Sequence, residues 1–589
     1  MNLEHVKTGH PHATGRLIRH VLEGRHVPAI AAVLAAIATA PSLWAGWVAD
    51  DNYQRIRLLG SDRLPEIPAD PARFFAFADG NPQHTLRLMD RGMWPWWTYK
   101  NIHGAFWRPL TVLTHRLDYA LWPKQAMLMH AHSVCWYALL AGLVGVLYRR
   151  VCGVGWVAGA AALLYAIDDA RGMPVGFLAN RNALIASVFG VCAILAHDSW
   201  RRRNWRPGAL LAPAAFAASL LSGEFGIGAL AFLVAHALVF EHGTIPRRCA
   251  IILPYLAILA AWRAAWHLSG AGIEGVGMYV DPLTEPARFI VEAMQRSAIL
   301  LLGQWAIPPS DAFLLTHEFG LAWLHWAVAV CVLLPLAAAM WPIVRRDRVT
   351  MFYATGMTLA VVPVCATFPA DRMLFFVGIG AFGVLARFLA STATSRSMRI
   401  TAVTLVIVHA VIAPIGLLAR SAMPVGPRRL MEQFMVPPIT DPAVERQSVI
   451  LVTARIVLGA SYLPINQELA GLPVPAHVRF LAPYQPPVEI DRVDDRTLVV
   501  RPSGGYLKSA WDQLARNDRH PMSLGERVEL TGMTAEVTAM TDDGRPAEAT
   551  FRFERPLEDA AHRWLSWGPN GYEAFTPPGV GERVTIDLR

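Results

Sequence analysis

Two adjacent carboxylates, Asp50 and Asp51, directly follow the first long apolar run of the chain. Adjacent carboxylates repel each other, so we expect one of them to hold its proton more tightly than an isolated aspartate does. A carboxylate tuned in this way suits a general base that accepts a proton from a hydroxyl group. The alternative is that the pair only marks the boundary between the apolar run and water, and the sequence leaves both interpretations open.

Three arginines, Arg108, Arg181 and Arg372, stand in short polar stretches between apolar runs. A planar guanidinium suits bidentate contact with a phosphate. Each arginine also has the alternative of anchoring the chain at a lipid surface or of pairing with a nearby carboxylate. The nearby carboxylates are Asp168, Asp169 and Asp371.

Two further residues are supporting candidates. Glu224 lies between two apolar runs, where an ionisable group is costly and is a functional candidate by default, unless it is a turn residue that faces water. His130 lies near one end of the second apolar run. A lone histidine on an apolar face is more often a packing residue than a reacting group, so His130 ranks below the carboxylates.

An aromatic cluster lies between the first two apolar runs and consists of Trp94, Trp96, Trp97 and Tyr99. Such side chains can stack on a sugar ring. The preferred interpretation is an aromatic belt at the membrane surface, or the apolar face of an amphipathic helix that lies on the membrane.

The sequence predicts no metal or other cofactor. The six cysteines lie in or beside apolar runs, without the C-x-x-C or His spacing of a zinc site, and the chain has no D-x-D motif. The net charge of +8 comes from short basic clusters between apolar runs rather than from one basic face. This pattern is typical of loops that anchor a membrane protein, and we therefore expect no nucleic-acid partner.

The composition predicts a polytopic helical membrane protein. The chain has 589 residues, of which 54% are hydrophobic and 17% charged, with a mean hydropathy of +0.33. An apolar run of about 20 residues crosses the hydrocarbon core, and about eleven candidates are present. They are residues 27–47, 126–148, 151–167, 174–196, 208–222, 225–240, 249–268, 321–344, 350–368, 373–390 and 400–418.

Charge predicts the orientation of these helices. Arginine clusters at 149–150, 201–206, 247–248, 345–348 and 396–399 fall in alternate loops, which places those loops and the N-terminal tail (1–26) in the cytoplasm. The membrane domain then covers 27–422, with outer segments 49–125 and 269–320. A Pro-rich linker (423–442) leads to a soluble domain (443–589) of short strands, which predict a β-sandwich or barrel. We expect the protein in the inner membrane of a bacterium, with this domain in the periplasm.

Six motifs in the membrane domain resemble the GT-C class of membrane glycosyltransferases. They are VADD at 48–51, WRPLT at 107–111 with LDYA at 117–120, NRNAL at 180–184, LLSGE at 220–224, an outer-face helix at 288–307, and DRMLF at 371–375. Their order most closely resembles the protein O-mannosyltransferase-like branch, which includes the transmembrane O-mannosyltransferases with tetratricopeptide repeats.

The resemblance implies inverting transfer of a sugar from a polyprenyl-phosphate carrier to an acceptor hydroxyl on a protein, lipid or glycan, at the outer face of the membrane. It implies that Asp50 or Asp51 is the base and that Arg181 and Arg372 hold the leaving phosphate, with Arg108 as a further phosphate contact. The lipid-linked sugar is a substrate, so no cofactor is implied.

The chain departs from this family in three ways. Gly223 stands where members usually have a lysine before the residue that aligns with Glu224. One phosphate contact is therefore absent or supplied elsewhere, and Lys100 and Lys124 could substitute for the lysine. The tetratricopeptide repeats are missing, and the C-terminal domain resembles no named family. One alternative is therefore a non-catalytic relative that acts through its β-rich domain. Another is a lipid or solute transporter, although the sequence has no internal repeat.

Overall fold

The computed structural model describes residues 19–391, 395–422 and 435–587. Most of the predicted N-terminal tail and the first part of the predicted linker, residues 423–434, lie outside the described residues. The described chain forms a helical membrane body that contains several apolar helices, followed by C-terminal β-sheets. This architecture confirms the predicted fold class.

Every predicted apolar run coincides with a helix. Among the described residues, six apolar helical segments have at least 18 residues, and five apolar helices are shorter. The helices of the body are α1 Val27–Thr39, α2 Asp50–Leu59, α3 Pro82–Arg91, α4 Pro109–Leu121, α5 Ala126–Cys152, α6 Trp156–Ala166, α7 Gly172–Gly176, α8 Arg181–Arg203, α9 Gly208–Ser222, α10 Ile227–Val239, α11 Ile245–Leu268, α12 Pro286–Trp305, α13 Ala312–Glu318, α14 Ala322–Val344, α15 Arg348–Val364, α16 Phe375–Ser391, α17 Arg396–Ile407 and α18 Ala413–Ser421.

The long spans include short irregular turns. The first span continues from α1 through a 3-10 turn to Trp44, and a π turn at Val408–Ile412 joins α17 to α18. The shorter helices are α6, α9, α10, α15 and α16. How many of the eleven cross the membrane stays a prediction, because length and composition alone identify the candidates.

Glycines allow three helices to approach closely beside the site described below. A Cβ at Gly190 of α8 or at Gly228 of α10 would lie 2.5 or 2.6 Å from the ring of Phe376, at the start of α16. Because glycine carries no side chain, the aromatic ring fills the space between the helices. This contact fixes the start of α16 against α8 and α10.

A small sheet joins the two predicted outer segments. Strands β1 (Ala76–Asp79), β2 (His103–Ala105) and β3 (Gly272–Glu274) pair in antiparallel fashion in that order. The sheet ties the segment after α1 to the segment after α11, so parts of the chain that are about 170 residues apart form one unit.

The C-terminal part contains two sheets. Its strands are β4 Ser448–Ala454, β5 His477–Pro483, β6 Val488–Arg492, β7 Thr497–Pro502, β8 Arg527–Leu530, β9 Met533–Met540, β10 Pro546–Phe553, β11 His562–Gly568, β12 Gly571–Ala574 and β13 Arg583–Ile586. Two short helices, α19 Val457–Ser461 and α20 Leu463–Leu469, lie between β4 and β5. The six-stranded sheet has the order β13-β6-β7-β10-β9-β8, and the four-stranded sheet has the order β12-β11-β4-β5.

The two hairpins that turn signals predict, β6 with β7 and β9 with β10, are present as antiparallel pairs. The prediction missed that β4 pairs in parallel with both β5 and β11. Parallel pairing requires crossover connections, and helices α19 and α20 lie in one of them. The C-terminal part is therefore a mixed α/β structure rather than a sandwich of hairpins alone.

The aromatic cluster belongs to the core of the C-terminal part. Trp96 and Trp97 are 1% and 0% exposed, and both rings pack edge-on against Tyr506. The interpretation of these two tryptophans as a belt at the membrane surface is therefore wrong. They instead fix the first outer segment to the C-terminal sheets, since burial of two indole rings excludes water from the joint.

Candidate active site

One cavity of about 420 Å³ lies between the outer segments and one end of the helical body. Its walls include the first turn of α10, the last turns of α11 and α15, and the first turn of α16. Four of the seven site residues predicted from the sequence line it: Asp50, Arg108, Glu224 and Arg372. The structure therefore assembles an acid, two cations and a second acid from four separate stretches of the chain.

Asp50 is the first residue of α2, and its half-buried carboxyl group lines the cavity. The Tyr462 hydroxyl of the C-terminal part donates a hydrogen bond to Asp50 Oδ1. Burial raises the pKa of Asp50, whereas this hydrogen bond and the positive charge of Arg372 act in the opposite direction. Asp50 therefore has a stronger affinity for a proton than an exposed aspartate has.

The backbone just before Asp50 is strained. Ala49 has φ +45°, a conformation that glycine adopts readily and alanine rarely does. Such a conformation costs about 1–3 kcal/mol and persists only where surrounding contacts enforce it. Here the contacts are made by Asp51, whose carboxylate accepts hydrogen bonds from Val48 N at 3.1 Å and Ala179 N at 2.7 Å.

Asp51 has a different environment from Asp50. It is 2% exposed and does not line the cavity, although burial raises its pKa to about 7. The hydrogen bond from Ala179 fixes the start of α2 to the turn before α8, and the bond from Val48 closes the turn before α2. Asp51 thus positions its neighbour, and Asp50 is the member of the pair that can meet a molecule in the cavity.

Arg108 and Glu224 form an ion pair in the cavity wall. Arg108 Nε donates to Glu224 Oε2 at 2.8 Å, and the Trp266 indole donates to Glu224 Oε1 at 3.2 Å. The Arg108 guanidinium lies over the rings of Phe75 and Phe106, at 4.8 and 4.4 Å. Its two terminal nitrogens, Nη1 and Nη2, donate no hydrogen bond to any described residue. They can therefore still contact a phosphate.

Arg372 is the unpaired cation of the cavity. Within the described ranges its guanidinium has no hydrogen bond or ion pair; it lies 5.4 Å from the ring centroid of Phe368 and acts electrostatically on Asp50. A cation without a carboxylate partner beside a cavity favours binding of an anion.

Other arginines occupy the aspartates that the sequence offered as partners for Arg372. The adjacent Asp371 accepts from Arg420 at 2.6 Å, and Asp169 lies 3.2 Å from the same guanidinium. Asp168 pairs with Arg171 at 3.0 Å. The pairing alternative for Arg372 is therefore wrong with respect to these three carboxylates.

Arg181 and His130 lie outside the cavity lining. Arg181 is fully buried, pairs with Asp118 and donates to Ser133 Oγ at 2.9 Å. His130 Nε2 lies 2.8 Å from the carbonyl oxygen of Gly46. Both residues hold helix ends behind the cavity wall, and neither side chain reaches the cavity in this structure.

The structure adds site residues that were not among the seven predicted from the sequence. Arg263 of α11 pairs with Asp281, and both line the cavity. Tyr279 also lines it, and burial raises the pKa of its hydroxyl although Arg372 and Arg108 oppose that shift. Arg263 gave one signal, since it is a charged residue inside an apolar run.

Neither lysine that was expected to replace the missing family lysine lies at the cavity. Lys100 and Lys124 are both exposed and do not line it. That expectation is therefore wrong for this structure, and Arg263 is the additional cation that the cavity wall contains.

Most of the remaining wall is apolar. Aromatic side chains surround the charged groups and continue between the ends of the membrane helices. They are Phe75, Phe77, Phe106, Phe177, Phe225, Trp262, Trp266 and Phe376. A largely apolar cavity that also contains charged groups suits an amphiphilic molecule with an anionic group.

The sequence matches no protein-family model and no curated protein. Among solved structures, the chain is similar to the crystal structure of ArnT from Cupriavidus metallidurans bound to undecaprenyl phosphate, with a TM-score of 0.35 and 14% sequence identity. The match covers 75% of this chain and 83% of that chain. No residue role is transferred from it.

Proposed function

We propose that this protein is a membrane glycosyltransferase that moves a sugar from a polyprenyl-phosphate-linked donor to an acceptor hydroxyl, with inversion at the anomeric carbon. The observation that carries the proposal is that Asp50, a carboxylate base, and Arg372, a cation without an ion-pair partner among the described residues, line the same cavity. The cavity is largely aromatic and lies at the ends of membrane helices. The motif resemblance to the O-mannosyltransferase-like branch supports it independently.

In the proposed reaction, the acceptor oxygen attacks the anomeric carbon while its proton passes to the Asp50 carboxylate. The bond between that carbon and the phosphate oxygen breaks, and its electron pair stays on the phosphate, which gains one negative charge. Arg372 faces that charge, and the terminal nitrogens of Arg108 add further donors. Cations already oriented toward developing charge lower the barrier without reorganising during the reaction.

Asp50 is the proposed base rather than Asp51 because only Asp50 borders the cavity. A base must be deprotonated before it acts. Since the pKa of Asp50 is raised, activity falls as the pH decreases through that pKa and is complete above it.

The proposed orientation follows the arginine pattern. The cavity, the first outer segment and the C-terminal sheets lie on the outer face, while the basic loops lie in the cytoplasm. Polyprenyl chains enter between membrane helices, and the acceptor arrives from water. The C-terminal part contributes to the site through Tyr462 and is the proposed acceptor side.

The test is a profile of envelope glycans and polyprenyl-phosphate sugars in a deletion strain. The strain is complemented at equal protein level with wild type, Asp50→Asn or Arg372→Gln, and with Asp62→Asn, at an exposed aspartate away from the cavity lining, as the matched control. We expect the deletion and the first two variants to lose one glycan modification and to accumulate its lipid-linked donor, whereas wild type and the control restore it.

A different outcome refutes the proposal. If Asp50→Asn and Arg372→Gln both restore the profile that the deletion loses, the protein acts through its fold or its β-rich part, and the transfer chemistry is wrong.

A further inference from the structure

A second group of polar side chains lies at the other end of α8 and α10, away from the cavity. It consists of His197 in α8, His236 in the last turn of α10, and Glu241, two residues after α10 ends. All three are buried, and one nitrogen or oxygen from each lies within 4.8 Å of the others. Asp198 adds a carboxylate, with Oδ1 at 3.4 Å from His236 Nε2.

Several nitrogen and oxygen atoms of this group have no hydrogen-bond partner among the described residues. Among the described residues, no hydrogen bond satisfies His197 Nε2, His236 Nδ1 or Asp198 Oδ2, and His236 Nε2 has only its 3.4 Å contact with Asp198. His236 and Asp198 are only 2% and 1% exposed. Buried polar atoms are nearly always hydrogen-bonded, so three unsatisfied atoms in one cluster indicate that something else binds there.

The tautomer of His197 is favourable for a metal ligand. Its Nδ1 lies 2.8 Å from the hydroxyl oxygen of Tyr255 in α11. When Nδ1 carries the proton and donates to that oxygen, Nε2 is left with a lone pair that can bind an ion. Ligating histidines in proteins commonly have this kind of outer partner.

We propose that the cluster binds one divalent transition-metal ion of the zinc class. His197 Nε2, one ring nitrogen of His236 and a carboxylate oxygen of Glu241 are the ligands, and Asp198 Oδ2 is available for the fourth position. Imidazole and carboxylate ligands suit this class of ion. Tetrahedral bonds of about 2.0–2.1 Å separate ligand atoms by about 3.3 Å. The ligand atoms here lie within 4.8 Å of one another, so side-chain movements that shorten these separations by up to about 1.5 Å complete the site.

Two arginines balance the carboxylates from the water side. Arg201 contacts both oxygens of Glu241, at 2.6 and 2.8 Å, and Arg202 lies 3.2 Å from Asp198 Oδ1. A carboxylate oxygen has two lone pairs, so Glu241 can keep its arginine contact and still bind an ion. The arginines lower the affinity of the site relative to one with free carboxylates, since they repel a cation.

The proposed ion has a structural role. It links α8 to the end of α10, two segments of the chain, at the opposite end of these helices from the cavity. It makes no contact with Asp50 or Arg372, so the proposal stands whether or not the protein is a glycosyltransferase. The expectation of no metal rested on spacing, and His197 and His236 are too far apart in sequence for spacing to relate them.

The experiment measures metal content and metal binding of the full-length protein, purified in detergent through a tag without histidine. Elemental analysis gives the metal bound on isolation. After chelation and dialysis, Co²⁺ is titrated as the probe, because its visible absorption reports tetrahedral coordination, and Zn²⁺ is then added in competition. We expect about one Co²⁺ per chain with a tetrahedral spectrum that Zn²⁺ abolishes.

The variants locate the site. We expect His197→Gln/His236→Gln to lose the spectrum, and Tyr255→Phe to weaken Co²⁺ binding by about 10–100-fold because His197 loses its outer partner. His242→Gln is the matched control, since His242 is exposed and adjacent to Glu241, and it should bind as wild type does.

The wild-type titration alone can overturn the proposal, even if the double variant fails to fold. It is wrong if wild type binds no Co²⁺ with a tetrahedral spectrum, or if folded Tyr255→Phe and His242→Gln bind it equally well.

Discussion

Replacing Tyr462 by phenylalanine tests whether the C-terminal part tunes the proposed base. The Tyr462 hydroxyl donates to Asp50 and stabilises the carboxylate form. A hydrogen bond to a charged group contributes about 1.5–3 kcal/mol, and one pKa unit corresponds to about 1.36 kcal/mol. Loss of the hydroxyl would raise the pKa of Asp50 by about 1–2 units. Because Asp50 is only half-buried, water replaces part of the lost bond, and we expect about 1 unit.

The assay is the pH dependence of kcat with the lipid-linked donor that accumulates in the deletion strain. Activity requires deprotonated Asp50, so the acidic limb of the Tyr462→Phe profile should move to higher pH by about 1 unit. At a pH on that limb the rate falls about 10-fold, and at high pH it approaches the wild-type rate.

Tyr506→Phe is the matched control for this experiment. Tyr506 is a buried tyrosine of the same C-terminal part, and its hydroxyl donates to the Leu481 carbonyl at 3.0 Å, away from Asp50. Its profile should keep the wild-type midpoint. A uniform loss of rate at all pH values in Tyr462→Phe, with an unchanged midpoint, would refute the reasoning that Tyr462 acts through the proton affinity of Asp50.

Three further predictions separate the site from its supports. Arg372→Gln should lower kcat by about 10²–10³-fold with normal protein yield. Arg181→Gln should instead reduce folded yield in detergent, because the buried Asp118 carboxylate loses its arginine and keeps only the His132 contact, at a cost of up to about 3–5 kcal/mol. Size-exclusion profiles and kcat of both proteins separate these effects. Asp51→Asn should retain kcat within about 10-fold. In wild type, a folded-state pKa raised to about 7 makes stability fall as the pH rises from about 4 to 7, because the folded chain keeps a proton that the unfolded chain releases. Thermal unfolding of Asp51→Asn should therefore show a smaller fall in stability over that range. Gly92→Ala should destabilise the joint between the first outer segment and the C-terminal sheets by about 2–4 kcal/mol, measured by thermal unfolding. Gly92 has φ +86°, and a Cβ there would lie 2.4 Å from a side chain of β5. Gly525→Ala is the control for the backbone contribution alone, since Gly525 has φ +79° and open space around it.

Hydropathy identified the apolar helices of the body because lipid as solvent demands long apolar helical runs. The same reasoning failed for Trp96 and Trp97, since an aromatic residue beside an apolar run looks alike whether it meets lipid or a protein core. It also missed the parallel pairing of β4, because strand partners separated by many residues leave no local turn signal.

Charge reasoning selected four residues that line the cavity, but it did not predict their partners. It selected Arg108, Arg181 and Arg372 on equal terms, and the fold alone distinguishes them: the first pairs with Glu224, the second with Asp118, and the third has no partner among the described residues. The contact of Tyr462 with Asp50 joins positions 412 residues apart. No pattern within one stretch of sequence can predict such a pair.

The most direct test of the central claim is a single-turnover reaction with purified protein. Wild type and Asp50→Asn are incubated with the polyprenyl-phosphate-sugar fraction and the envelope acceptor fraction of the deletion strain, and mass spectrometry follows the lipid-linked sugar and the free polyprenyl phosphate. We predict that wild type converts one lipid-linked sugar to polyprenyl phosphate and glycosylated acceptor, whereas Asp50→Asn leaves it intact. If the two proteins convert it equally, or if wild type converts none, the assignment of Asp50 as the base of a glycosyl transfer is contradicted.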